Sequence, residues 1–333
     1  MKIDFFATNQ DITLGSYRIW VHDLSDTLRN LGCEVNIVDN LDLLQDGSVV
    51  ILSKADYQLA IHPILKDRCV GGINIARDHN DLPLDFIIVG SPEEKVSLMS
   101  AYKNVYIVNL YEKMYENEAM KQHLDKKNIC IGYHGSYIHL TKLGQGFANS
   151  FKNLSESNNL HFVNITNRPA IAKDILLQLG FERSQFTCKK WNFDTVVEDI
   201  RGIDIGIMPN LIDQYLINPE LLKQISVHNG INKTDYVFRF KNKSNPGRAF
   251  VFYQLGVPVI ADLTPSNMPM LHDEKCGLIA NCENSWSFQI EKMLDYRARA
   301  KIALSAHDRF KDIYNPCGDA QQLIKNIKEI YND

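Results

Sequence analysis

The residues with the greatest capacity for chemistry cluster between positions 239 and 262, in the run RFKNKSNPGRAFVFYQLGVPVIAD. Arg239, Lys241, Lys243, Ser244, Asn245, Gly247 and Arg248 precede an apolar, helix-like run over 249–255, which Gly256 stops before a short strand over 257–261. A polar loop feeding a helix N-terminus suits an anion, because the unpaired N–H groups and the helix dipole point the same way. Lys243, Ser244, Asn245 and Arg248 would add charge-assisted bonds to a phosphate there. Pro246 and Gly247 suit a first turn and a close backbone approach. A basic surface loop leading into an amphipathic helix would use the same residues, so the pattern leaves both readings open.

Two further groups carry side chains fit for binding or proton transfer. After an apolar strand over 129–133, His134, Gly135 and Ser136 form a small polar loop, with His139 and Lys142 close behind. Gly135 and Ser136 could present backbone N–H groups to a diphosphate, Lys142 could neutralise its charge, and His134 or His139 could donate to a phosphate or a sugar hydroxyl. Arg77, Asp78, His79, Asn80 and Asp81 crowd the end of a strand expected over 72–76. Asp78 or His79 could take the proton of a hydroxyl nucleophile. Asp and Asn also favour turns for backbone reasons, and that is the structural alternative for this group.

The elements that must position these groups alternate between strands and helices. Strands are expected over 2–7, 33–38, 49–52, 72–76, 86–89 and 105–108, with helices over 17–31 and 57–66 and from Pro92, where Ser91 is a good N-cap. This pattern predicts a mostly parallel sheet whose ligands sit beyond the strand C-termini, which also draws attention to Lys54. Residues 111–128, charged and poor in β-branched types, read as a surface helix and linker. A second alternating series follows, with strands over 129–133, 160–165, 186–191, 203–208, 257–261 and 277–280. Its helices are expected over 147–154 (continuing from the His134 loop), 170–179, 195–200, 285–296 and 298–330, the last interrupted by Pro316. Residues 211–236 are an insertion of undetermined structure.

The block SNPGRAFVFYQLGVPVIA, followed by Gly277-Leu278-Ile279-Ala280 and Trp286, resembles the C-terminal donor-binding segment of GT-B glycosyltransferases. Lys243, Ser244, Asn245, Arg248, Gly256, Pro258, Val259 and Ile260 match that pattern, and the Gly135 loop resembles the glycine-containing loop after the first strand of the same domain. The resemblance implies an α/β fold of two Rossmann-like domains facing across a cleft, with a C-terminal helix crossing back to the first. The expected division is an acceptor domain over 1–125, a nucleotide-sugar-binding domain over 126–318 and a returning helix over 319–333. It implies sugar transfer from a nucleotide-activated donor to a glycan or lipid-linked glycan acceptor, and adds Gly15, Ser16 and Arg18, in the first glycine-containing loop, to the candidates near the donor.

On this reading no metal and no separate cofactor are expected. Arg239, Lys243, Ser244, Asn245, Arg248, Gly135, Ser136 and Lys142 would meet the charge of the leaving phosphate. The chain departs from the family in one place. The paired glutamates of many retaining members fall on Lys243 and Val251, so neither that subgroup nor its stereochemistry carries over. A CMP-acid-sugar transferase, a sugar-nucleotide epimerase of the same fold and a non-catalytic partner subunit stay open as alternatives.

Composition narrows the setting. A length of 333 residues suits two α/β domains of about 150 residues each. The net charge of −4 gives no reason to expect attraction to nucleic acid. Seven scattered cysteines without a C-x-x-C spacing suit reduced thiols rather than a zinc site. The first residues read as a strand rather than a signal peptide, and no apolar run approaches a membrane span, so a cytoplasmic protein is expected, with peripheral contact with the inner membrane surface left open.

Overall fold

The computed structural model describes residues 1–73, 82–209, 246–262 and 264–332. The chain divides into two compact units. The first comprises Met1–Glu118, Asn245–Val251 and Lys311–Asp333, and the second Ala119–Ser244 and Phe252–Phe310. Each holds a six-stranded sheet in which every pairing is parallel. The fold class read from the alternating pattern is the one observed.

In the first unit the strands are β1 (Lys2–Phe6), β2 (Glu34–Val38), β3 (Val49–Leu52), β4 (Val70–Ile73), β5 (Phe86–Val89) and β6 (Val105–Ile107), in the order β2-β1-β3-β4-β5-β6. The β3, β4 and β5 segments are buried throughout, which is why they read as continuous apolar runs. The strand order reverses between β1 and β3, and a doubly wound sheet opens its ligand crevice beyond the carboxyl ends at such a point. The helix after β1 is not regular. An α-helical turn, Gly15–Tyr17, passes into a π-helical stretch, Arg18–Asp23, and then into α-helix Leu24–Asn30. The C-terminal helix Pro316–Asn332 belongs to this unit, where the Asp319 carboxylate accepts from Asn109 N at 2.8 Å and Asn109 Nδ2 at 2.9 Å. Pro316 starts this helix, where a missing N–H costs nothing, rather than interrupting a longer one.

The second unit has β7 (Asn128–His134), β8 (Asn159–Thr166), β9 (Phe186–Lys190), β10 (Ile205–Met208), β11 (Val259–Ala261) and β12 (Leu278–Ile279), in the order β12-β11-β10-β7-β8-β9. This is the Rossmann order, with its reversal between β7 and β10. One face is covered by helix Gly144–Ser155, whose Phe147 and Phe151 are buried among Phe162, Phe181 and Trp286. Phe147 meets Trp286 edge-to-face at 5.2 Å. Truncating such a residue to alanine costs about 3–5 kcal/mol, so this cluster is a main anchor of the unit.

Three further expectations change. Residues 111–128 are not a surface helix, since only Lys113–Tyr115 is helical, as a single 3₁₀ turn. Two of their lysines are drawn into tertiary contacts instead. Lys121 Nζ donates to Arg201 O at 2.6 Å and pairs with the buried Asp204, which Lys126 Nζ also meets at 2.7 Å. The 57–66 segment forms two 3₁₀ stretches, Tyr57–Ile61 and Pro63–Leu65, because Pro63 breaks a continuous helix. The His134 loop leads into a 3₁₀ stretch, Tyr137–Lys142, and Gly144, at φ 74°, separates it from the helix that follows.

Candidate functional site

In the first unit the crevice at the sheet reversal is built from short polar side chains. Thr8 follows β1 and Ser53 follows β3. Both bond one buried carboxylate: Thr8 Oγ1 donates to Asp56 Oδ1 at 2.6 Å, and Ser53 Oγ to Asp56 Oδ2 at 2.6 Å. Thr8 N donates to the same carboxylate at 3.1 Å. Asp56 therefore ties the ends of the two strands that flank the crevice.

The loop beyond Thr8 is held by its own turns, with Thr13 N and Oγ1 both donating to Asp11 Oδ1. It is also held from below by Arg18, whose Nη1 donates to Ile12 O at 3.0 Å and Thr13 O at 3.3 Å and whose Nη2 reaches Glu112 Oε2 at 2.6 Å. Burial pushes the Glu112 carboxyl up from its ordinary range, and the Arg18 guanidinium opposes that shift. Arg18 is 5% exposed, so it is a brace for the loop and not a solvated helix residue. Beside that brace, in the helical turn Gly15–Tyr17, stand two of the candidates, with Ser16 exposed and Gly15 half-buried.

In the second unit β7 is the longer of the two strands flanking the reversal, and its last residue is His134. His134 is 6% exposed and meets Phe252 edge-to-face at 4.8 Å. Phe252 can lie on the sheet because β10 carries Gly206 beneath it, where a Cβ would stand 2.7 Å from the ring. Gly135 takes φ 125°, a conformation that L side chains rarely adopt, while its N–H donates to Ile165 O at 2.9 Å. Ser136 then turns the chain into the 3₁₀ stretch, and Tyr133 Oη donates to its carbonyl at 3.0 Å. The glycine is thus required by the turn itself. His134, Gly135 and Ser136 stand together at the reversal point.

Helix Gly247–Gln254 begins where the basic run ends, and Arg248 is half-buried in its first turn. Arg239, Lys243, Ser244 and Asn245 lie outside the described residues, as do Asp78, His79 and the insertion over 211–236, and the side chain of Lys142 is likewise outside them. Among the described residues no group of three or more His, Cys, Asp and Glu side chains could hold a metal ion. No helix among them is long and apolar enough to cross a membrane.

The sequence reading passed over two groups. One is Thr8, Ser53 and Asp56. The other follows β11, where Thr264, Ser266 and Asn267 are buried at the sheet's carboxyl end. Tyr253 Oη donates to Asn267 Oδ1 at 3.3 Å, while Asn267 Nδ2 has no hydrogen-bond partner among the described residues. The signal available for both was a run of small polar residues immediately after an apolar strand.

No family model matches the chain, and no curated protein matches it. Solved structures do match in fold. Anabaena HepE in complex with UDP and glucose has 12% identity and a TM-score of 0.62 over 99% of this chain and 100% of that one. Sucrose-phosphate synthase from Thermosynechococcus elongatus has 10% identity and a TM-score of 0.65 over 100% and 99%. A variant of S. aureus TarM in complex with fondaparinux, α-GlcNAc-glycerol and UDP has 11% identity and a TM-score of 0.62. It is matched over 93% of this chain, which spans 59% of TarM. These are GT-B folds, and the expected architecture of two Rossmann-like domains is the one this chain has.

Proposed function

We propose that the protein is a glycosyltransferase that moves a sugar from a nucleotide-activated donor to a glycan or glycoconjugate acceptor. The observation that carries this reading is the end-to-end match to a UDP- and glucose-bound GT-B structure, with the Gly135 turn at the sheet reversal where such a fold binds nucleotides. HepE and the TarM variant are both described with UDP bound, which makes a uridine diphosphate sugar the first donor to test.

Departure of the nucleoside diphosphate places negative charge on the oxygen that leaves the sugar. Lys243 and Arg248, with Arg239, Ser244 and Asn245, meet that charge, together with Gly135, Ser136 and Lys142. Donors supplied by the protein in this way take the part a metal ion would otherwise play in the transfer. Asp78 or His79 takes the proton of the acceptor hydroxyl as its oxygen bonds to the sugar. The acceptor is a glycan or a lipid-linked glycan, reached from the cytoplasm.

Calorimetric titration of the wild type and Lys243→Ala with UDP, GDP, CDP, CMP and ADP tests this. Micromolar binding of one nucleotide, lost in the variant, is expected. A folded protein that binds none of the five would overturn both the site and the activity.

A further inference from the structure

The amino ends of the first sheet carry a second feature, at the opposite end from the Gly15 loop. A hollow of about 750 Å³ opens between the two 3₁₀ stretches that follow β3 and the chain entering β4, β5 and β6. That volume falls within the ordinary range for small-molecule sites, about 300–1,000 Å³. Leu65, Leu82, Leu84 and Tyr102 give it an apolar wall, and Ile61 stands at its edge 73% exposed.

The polar part of the lining is unbalanced. Lys66, Arg68 and Lys103 line the hollow, and among the described residues the only carboxylate in its lining is that of Asp85. Asp85 Oδ2 is occupied by Val70 N at 2.7 Å. Arg68 is planted by Nη1, which donates to Gln45 O at 2.6 Å and Ser48 Oγ at 3.2 Å. Neither Lys66 nor Lys103 forms an ion pair among the described residues. His62 accepts from Ile64 N at Nδ1, which leaves Nε2 as a further donor. Among the described lining residues, three cations against one carboxylate leave a surplus of two positive charges beside an apolar wall.

We infer that this hollow binds a small amphiphilic phosphate, a phosphate monoester carried on an aliphatic or aromatic body. The dianion matches the surplus charge, Lys66 and Lys103 act as mobile point charges, and Arg68 supplies a pre-positioned guanidinium. The body of the ligand covers Ile61 and the leucine wall. The inference is independent of sugar transfer, because the hollow lies at the amino ends of the strands and donor ligands of such folds bind beyond the carboxyl ends.

The test is calorimetric titration of the full chain with octyl phosphate below its micelle concentration. Inorganic phosphate and octyl glucoside serve as the charge-only and tail-only controls, and UDP is added as a competitor. Saturable one-to-one binding of octyl phosphate is expected, stronger than either control and unchanged by UDP. It should weaken by about tenfold or more in Lys66→Ala/Lys103→Ala, whose sites are exposed and whose fold is checked by circular dichroism. Ile61→Ser should weaken octyl phosphate but leave inorganic phosphate unaffected. Absence of saturable binding, equal affinity for inorganic phosphate, indifference to the double substitution, or competition by UDP each overturns the inference. Association only with phosphatidic acid vesicles, and not with the soluble ester, does so too.

Discussion

Arg18 and Glu112, 94 positions apart, meet through Nη2 and Oε2 at 2.6 Å, with side chains 6% and 14% exposed. The pair joins the loop after β1 to the segment after β6, and Arg18 Nη1 donates to the loop carbonyls of Ile12 and Thr13. Removing one partner strands the other charge in a poor solvent. Arg18→Met is expected to cost about 3–5 kcal/mol in urea unfolding, and Arg18→Met/Glu112→Leu less than either single change. Additive losses in that cycle would show that the two charges do not depend on each other.

Asp56 is a second joint in the same unit, because it receives bonds from both Thr8 and Ser53. Asp56→Ala leaves two hydroxyls and an amide without their acceptor, and a loss of about 1.5–3 kcal/mol is expected. Amide exchange should rise in the loop over 8–14 before it rises in β1. Uniform acceleration across the sheet would assign Asp56 to global stability alone.

His123 makes the second unit sensitive to acid. Its Nε2 donates to Gly256 O at 2.9 Å, and its Nδ1 is buried without a hydrogen-bond partner among the described residues. Burial, aided by the Lys121 and Arg299 charges, holds its pKa below the ordinary value of 6.5 although the Gly256 carbonyl opposes this. The unfolded chain therefore takes up a proton at a higher pH than the folded one. The stability linked to His123 is fully present above pH 6.5 and is lost as pH falls through the folded value. Melting temperatures taken between pH 7 and pH 5 should fall more steeply in the wild type than in His123→Gln. Parallel slopes would place the acid sensitivity elsewhere.

Gly135, with φ 125°, bears on both stability and binding. Gly135→Ala forces a side chain into an unfavourable region, at a cost of about 1–3 kcal/mol. It should also weaken nucleotide binding by more than that loss of stability explains at a temperature where the variant is fully folded. Unaltered affinity would separate the turn from the donor site.

Much of this architecture was legible in the sequence because parallel strands buried on both faces must be apolar throughout. Val49-Val50-Ile51-Leu52 and Phe86-Ile87-Ile88-Val89 could hardly be anything else. The Gly135 loop was legible for a related reason, since a strand ending in His-Gly-Ser leaves few backbone solutions. Local chemistry therefore determined the class of fold, most elements and one glycine turn. Strand order could not be read in this way, because a sheet's order depends on which apolar edges find one another across long separations. That order alone brings Thr8 to Ser53 and makes Asp56 a joint, and it places His134 at a reversal point. The 111–128 segment shows the same limit. Its charges look like a solvated helix until Asp204, some 80 residues later, supplies a buried partner for Lys121 and Lys126. Burial of a charge is a property of the folded neighbourhood, and only the tertiary structure decides it.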